Sequence, residues 1–193
     1  MTRKVLAAIL ITGAAVVATT AVAKQRGATA TVANADALTQ QDFKKRIDAY
    51  IAVHNEAVKD VGALKETSDP AEIKAAQNAL AQRIAAARAA AKPGDIFTPD
   101  IRNRFRELLA PHLKGEDGRD AKEIVKDDAP PTVPFKVNAP YPDGKPLPTV
   151  PAKFLVNLPP LPKQVEYRII DNHLILRDVD ANLIVDYMLN AIR

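Results

Sequence analysis

Val165-Glu166-Tyr167-Arg168-Ile169-Ile170, then Asp171-Asn172, then His173-Leu174-Ile175-Leu176-Arg177-Asp178 is the stretch that decides the fold. Val179-Asp180-Ala181-Asn182 leads from it into Leu183-Ile184-Val185-Asp186-Tyr187-Met188. Apolar runs separated by short polar turns are the pattern of an antiparallel meander. Asp171-Asn172 occupies the position where a two-residue hairpin needs positive φ. Strand alternation places Tyr167 and Ile169 on one side, with Leu174 and Leu176 across from them. So small a sheet needs a covering layer, which the chain before it must supply. Arg168, Arg177, Asp178 and Asp186 then read as charge pairs on an exposed face of the meander.

Immediately upstream, eleven prolines fall within the thirty-four residues from Pro130 to Lys163. Proline fixes φ and removes a donor, so this segment is neither a long helix nor a central strand. Val133, Phe135, Val137, Tyr141, Leu147, Phe154, Leu155, Leu158 and Leu161 are interspersed among the prolines. That apolar content favours an arm packed across the domain over a free tether. Within it, Pro151 to Leu158 is expected to form two helical turns with Phe154, Leu155 and Leu158 inward.

The chain before the arm is helical. Phe43, Ile47, Tyr50, Ile51, His54, Val58 and Val61 fall on one stripe of a helix expected to begin at Thr39 and end near Gly62 to Thr67. A second helix starts at Ser68-Asp69-Pro70-Ala71-Glu72, with Asp69 as cap, Pro70 in the first turn and Glu72 completing a capping box. It runs to about Ala91 and stops at Lys92-Pro93-Gly94. Eleven of its twenty-three residues from Pro70 to Lys92 are alanine, which suits close antiparallel packing on the first helix. Thr98-Pro99 opens a third helix, with Ile101, Phe105, Leu108 and Leu109 buried and an end at Pro111. Residues 119–128 are expected to hold a short fourth helix.

Met1-Thr2-Arg3-Lys4 is basic, residues 5–17 are apolar, and Ala21-Val22-Ala23 is a small-x-small cleavage site: the parts of a secretory signal in order. The expected organisation is a signal peptide over 1–23, an unstructured lead-in over 24–38, a helical region over 39–128, the arm over 129–164 and the meander over 165–193. Residues 39–193 form one domain. The fold class is α+β.

Composition narrows the chemistry. There is no cysteine, which removes disulfides, thiolate catalysis and thiolate metal sites. A net charge of +4, or +2 without Arg3 and Lys4, is too mild for nucleic acid. With five Phe, four Tyr and no Trp, the core is expected to be thin and built on small residues. Ser68 is the only serine and sits at a helix cap. No phosphate-cradling glycine loop, nucleophile elbow or His-Glu-x-x-His is present, so no catalytic or cofactor-binding residue is assigned.

His54 lies centrally on an apolar helical stripe, and Ala57 and Val58 stand where a second ligand would be needed. It reads as a hydrogen-bonded, partly buried histidine. Asp178, Asp180 and Asn182 match the first positions of a calcium loop, but Leu183 and Leu189 replace the required Gly and Glu. They read as a tight turn. His54, Asp178 and Asp180 are the residual metal candidates.

Thr67-Ser68-Asp69-Pro70-Ala71-Glu72-Ile73, Ala91-Lys92-Pro93-Gly94-Asp95-Ile96-Phe97-Thr98-Pro99, Tyr141-Pro142, Pro146-Leu147-Pro148-Thr149, Leu158-Pro159-Pro160-Leu161-Pro162 and the meander together carry a resemblance. Over essentially all of the mature chain, the sequence resembles a family of uncharacterised exported bacterial proteins, which implies export but no activity. The tail alone is similar to that of small periplasmic proteins linked to nickel and cobalt homeostasis, without any metal ligands. The expected function is a non-enzymatic periplasmic or extracellular protein with a binding or accessory role and no cofactor. Its expected partner is a protein or small molecule of the cell envelope, and membrane contact arises only through an uncleaved signal. A metal- or stress-related accessory and an enzyme of unrecognised type are the alternatives.

Overall fold

The computed structural model describes residues 18–62, 67–115, 118–120, 123, 135–142, 147 and 150–192. Contacts divide the chain into Met1–Ala37 and Leu38–Arg193. Helix α1 spans Ala18–Val61. It therefore runs through residues 24–38, where the sequence suggests no regular structure. Ala28, Ala30, Ala33, Ala35 and Ala37 favour helix there, and extending an existing helix avoids the cost of a new nucleus. The basic and apolar stretches over residues 1–17 that read as the start of a secretory signal lie outside the described residues. Ala21-Val22-Ala23, which reads as its cleavage site, falls within α1. Among the described residues, no helix is long and apolar enough to cross a membrane.

The remaining architecture belongs to Leu38–Arg193. Helices α2 (Pro70–Ala87) and α3 (Pro99–Leu109) follow, then a 3₁₀ turn over Ala110–Leu113 and the single turn α4 (Ala152–Leu155). Strands β1 (Val165–Ile170), β2 (His173–Asp178) and β3 (Leu183–Met188) form an antiparallel sheet in the order β1-β2-β3. This is the α+β meander that the sequence predicts. Asp171, in the β1–β2 turn, has φ 53, and the register pairs Tyr167 with Leu176 and Ile169 with Leu174.

The helix boundaries follow local chemistry, with adjustments. Asp69 caps α2 by accepting from Ala71 N–H at 2.8 Å. Glu72 does not reach back to the Asp69 N–H as a capping box would: Thr67 Oγ1 accepts from Asp69 N–H and donates to Glu72. Thr98 makes no side-chain cap bond. Helix α2 ends at Ala87 rather than Ala91, with Arg88 at the C-cap. Tyr50 stacks beneath Arg88 while Asp60 pairs with Arg83, so the two helices run antiparallel. Of the expected fourth helix over 119–128, residues 119, 120 and 123 are helical, and 121–122 and 124–128 lie outside the described residues.

The sheet is covered on both faces. Its helix side, carrying Val165, Tyr167, Ile169, Leu174 and Leu176, joins a core with Phe43, Ile47, Ile84, Phe97 and Phe105. Phe105 packs edge-on to Phe43, Phe97 and Tyr167 at centroid distances of 5.0, 5.5 and 6.0 Å, arrangements that add to area burial. Four of the five phenylalanines are thus buried almost completely. The core is not the thin, small-residue core expected from composition, because the few aromatics are concentrated at one junction.

On the other side, Ile170, Ile175 and Ile184 cluster with Tyr141, against which Phe135 and Tyr187 pack. The described parts of the proline-rich segment therefore behave as a packed arm. Asn138 anchors it, donating to the Arg88 carbonyl while accepting from the Arg88 guanidinium. Phe154 and Leu158 point inward as expected, but Leu155, about 100° around the turn from Phe154, is 41% exposed.

Candidate functional site

Two irregularities of a simple meander position the polar interior. Asp178 follows Leu174 and Leu176 at the strand period, so its side chain continues their helix-facing row. Asp186 reaches the same side through a break in register: Leu176 pairs with Asp186, but Arg177 pairs with Ile184. Val185 is the extra residue of a β-bulge, and the bulge turns both Val185 and Asp186 toward the helices. Both carboxylates are fully buried. This corrects the expectation that Asp178 and Asp186 form charge pairs on an exposed face.

Asp186 is held by main chain. It accepts from Gly94 N–H at 2.9 Å and from Ile96 and Phe97 N–H at 2.8 Å each. A fourth bond comes from its neighbour, Tyr187 N–H, at 2.8 Å. One carboxylate thus fixes the loop between α2 and α3, where Gly94 adopts φ 91.

Asp178 is held mainly by side chains from α1. Tyr50 and His54 lie four residues apart on the buried stripe, one turn above the other. Tyr50 OH donates to Asp178 Oδ2 at 2.6 Å. His54 Nδ1 approaches the same oxygen at 2.6 Å, and Ala181 N–H donates to Oδ1 at 2.8 Å. An acceptor already serving Tyr50 requires the proton of the histidine contact to be on Nδ1.

His54 Nε2 then faces Asp180 Oδ2 at 3.5 Å. These two groups border a cleft of about 250 Å³, closed by Val58, Leu80 and Gln164. The Asp178 hydrogen bond raises the His54 pKa above 6.5; burial opposes it, and the charges of Asp178 and Asp180 assist. Burial, reinforced by the Asp178 charge, pushes Tyr50 far above the ordinary phenol range, so Tyr50 remains a donor.

The metal candidates His54, Asp178 and Asp180 are therefore brought together, although sequence spacing could not place His54 beside the two acids. Their geometry is nonetheless that of a hydrogen-bonded dyad and its neighbour, since Asp178 already accepts three bonds. Among the described residues, no group of three or more His, Asp or Glu could hold a metal ion. The other histidines stand apart. His112 contacts Asn157, while His173 Nδ1 accepts from Asn190 N–H at 3.0 Å with its ring edge-on to Phe135.

A third polar group lies on the arm-facing side of the sheet. Arg177 donates to Glu166 at 2.6 Å and to Asn182, and Arg168 donates to Glu166 at 2.5 Å. Burial alone would raise the Glu166 pKa, but the two guanidinium groups outweigh it and hold it below the usual range. Glu166 is not among the sequence candidates. Its position opposite Arg177 in the β1–β2 register is the signal that would have identified it.

Beside this pair lies a larger apolar groove of about 580 Å³, lined by Val156, Leu158, Leu161, Val165 and Tyr167 among others. Its lip carries Val156, which is 77% exposed. The groove follows the outer edge of β1. Pro151 to Leu158 reads from sequence as two turns with Phe154, Leu155 and Leu158 inward, and the exposure of Leu155 departs from that reading. Comparison of the chain with family models, curated proteins and solved structures finds no match in any of the three.

Proposed function

We propose that the protein is an exported, non-enzymatic binding protein that receives an extended strand along the outer edge of β1. The observation carrying this reading is the apolar groove beside that edge. Pairing with β2 through a two-residue turn makes Ile170–His173, Arg168–Ile175 and Glu166–Arg177 the mutually hydrogen-bonded pairs. The amides and carbonyls of Tyr167 and Ile169 consequently point outward. An incoming strand would take its main-chain bonds from them and lie beside the apolar wall of the groove, the logic of strand addition. Export rests on the order of basic, apolar and small-residue segments at the N-terminus.

Amide NMR of the full chain, titrated with extended peptides alternating apolar and polar residues, tests binding. The expected result is shifts centred on Tyr167, Ile169 and Val156; shifts elsewhere, or none with any peptide, overturn it. Recovery of a periplasmic product beginning at Lys24 tests export.

A metal- or stress-related accessory role is the second reading, favoured by the placement of Asp180 beside His54 Nε2. It requires a rise in melting temperature with zinc or nickel that is lost in His54→Gln.

A further inference from the structure

We infer that the strand received by β1 is β1 of a second copy of this chain, paired antiparallel about a two-fold axis at Tyr167. This rests on the strand-binding reading above and identifies its partner. The two edges of the sheet are treated differently. The β3 edge is covered by the arm: Asn138 N–H donates to the Ile184 carbonyl at 2.9 Å, Ile184 N–H to Ala139 at 2.9 Å, and Tyr141 N–H to Asn182 at 2.8 Å. The β1 edge has no strand against it among the described residues. Unprotected edges pair with other chains unless charge, proline or a bulge prevents it.

The sequence of β1 is complementary to itself in one register. With Tyr167 opposite Tyr167 of the second copy, Glu166 stands opposite Arg168, and Arg168 opposite Glu166. Val165 stands opposite Ile169. Oppositely charged cross-strand pairs attract and like pairs repel. Moving the axis by one position to Arg168 would set two arginines against each other, so charge selects the register. The hydrogen-bonding parity agrees, because the outward groups of Tyr167 meet their own equivalents, and the Ile169 N–H meets the Val165 carbonyl. The Val165 N–H is already committed to the Pro162 carbonyl at 3.1 Å and need not take part. A two-fold interface of this kind is closed, as isologous dimers are, so pairing stops at two copies. The exposed Leu155 and Val156 on the groove lip supply apolar surface beside the paired strands.

Sedimentation of the full chain over a range of concentrations, with Glu166→Arg and Arg168→Glu, tests the inference. Wild type is expected to form a dimer. Each single variant opposes like charges across the axis and should dimerise at least tenfold more weakly. An equimolar mixture of the two variants restores both pairs and should recover a heterodimer. Because Glu166 also pairs with Arg177 within one chain, hydrogen exchange of the wild type provides a variant-free readout: the Tyr167 and Ile169 amides should slow as concentration rises. A wild type that stays monomeric, single variants that dimerise as tightly as wild type, or exchange independent of concentration would overturn the self-pairing. A monomer whose Tyr167 and Ile169 amides still respond to added extended peptides overturns self-pairing alone. A monomer that responds to no peptide overturns the strand-binding reading as well.

Discussion

Asp178 and Asp186 are both buried, both project from the same face of one small sheet, and both accept several hydrogen bonds. They differ in who donates. Asp186 is surrounded by amides of Gly94, Ile96, Phe97 and Tyr187, none of which titrates. Asp178 takes one amide and two side chains, Tyr50 and His54, and the histidine changes charge near neutrality. A buried carboxylate is costly unless its lone pairs are satisfied. Here that requirement is met once by an invariant cradle and once by a partner that responds to pH. Asp186 is thus a fixed tie between sheet and loop, whereas Asp178 couples α1 and the β2–β3 turn to proton concentration.

Removing the invariant cradle should have the larger effect. Asp186→Ala leaves buried amides in the 94–97 loop without their acceptor, and each unsatisfied buried group costs about 1–3 kcal/mol. With partial relaxation, the expected loss is about 4 kcal/mol of unfolding free energy, measured by urea denaturation, and nearly the same at pH 6 and pH 9. A loss under about 1 kcal/mol would mean that the loop holds its conformation without Asp186.

Much of this arrangement is legible in sequence, and the rest is hidden for identifiable reasons. The strands declare themselves through apolar runs and Asp171-Asn172, and α2 through Asp69-Pro70. The position of His54 on a buried stripe follows from the spacing of Phe43, Ile47 and Tyr50. Its partner does not, because Asp178 lies 124 residues away and no local spacing connects them. Asp186 is misread for a different reason: one extra residue at Val185 reverses the alternation, and Leu183-Ile184-Val185-Asp186 carries no local mark of a bulge. The β1 groove escapes notice because it depends on Leu155 and Val156 lying outside the core, whereas the apolar spacing places Leu155 inward beside Phe154.

The titrating partner sharpens the contrast. His54 has a folded-state pKa raised above 6.5 by its bond to Asp178. Its protonated form therefore adds stability that is fully present below about pH 6.5 and is lost as pH rises through the folded value. His173, whose pKa burial lowers, acts with the opposite sign, removing stability as pH falls through its folded value. His54→Gln keeps a possible donor to Asp178 but no titrating group. It is expected to cost about 2 kcal/mol at pH 6, less than the about 3–5 kcal/mol for breaking a buried ion pair outright. The cost should shrink by pH 9. A His54→Gln stability deficit equal at both pH values would show that His54 does not carry the dependence.

Tyr50→Phe should have the smallest effect and tests whether the two donors to Asp178 Oδ2 compete. The substitution keeps the ring beneath Arg88, 5.0 Å from centroid to guanidinium carbon, and removes only the hydroxyl. Loss of a hydrogen bond to a charged acceptor costs about 1.5 kcal/mol, and Asp178 retains His54 and the Ala181 amide. With Tyr50 no longer withdrawing charge from Oδ2, the bond from His54 Nδ1–H strengthens and the imidazolium is favoured. The His54 pKa, followed by its ring proton shifts, should therefore rise above that of wild type while overall stability falls. If it is unchanged or falls, the Tyr50 hydroxyl and the imidazole are independent ligands of Asp178. The contrast with Asp186 would then rest on titration alone, without competition for one oxygen.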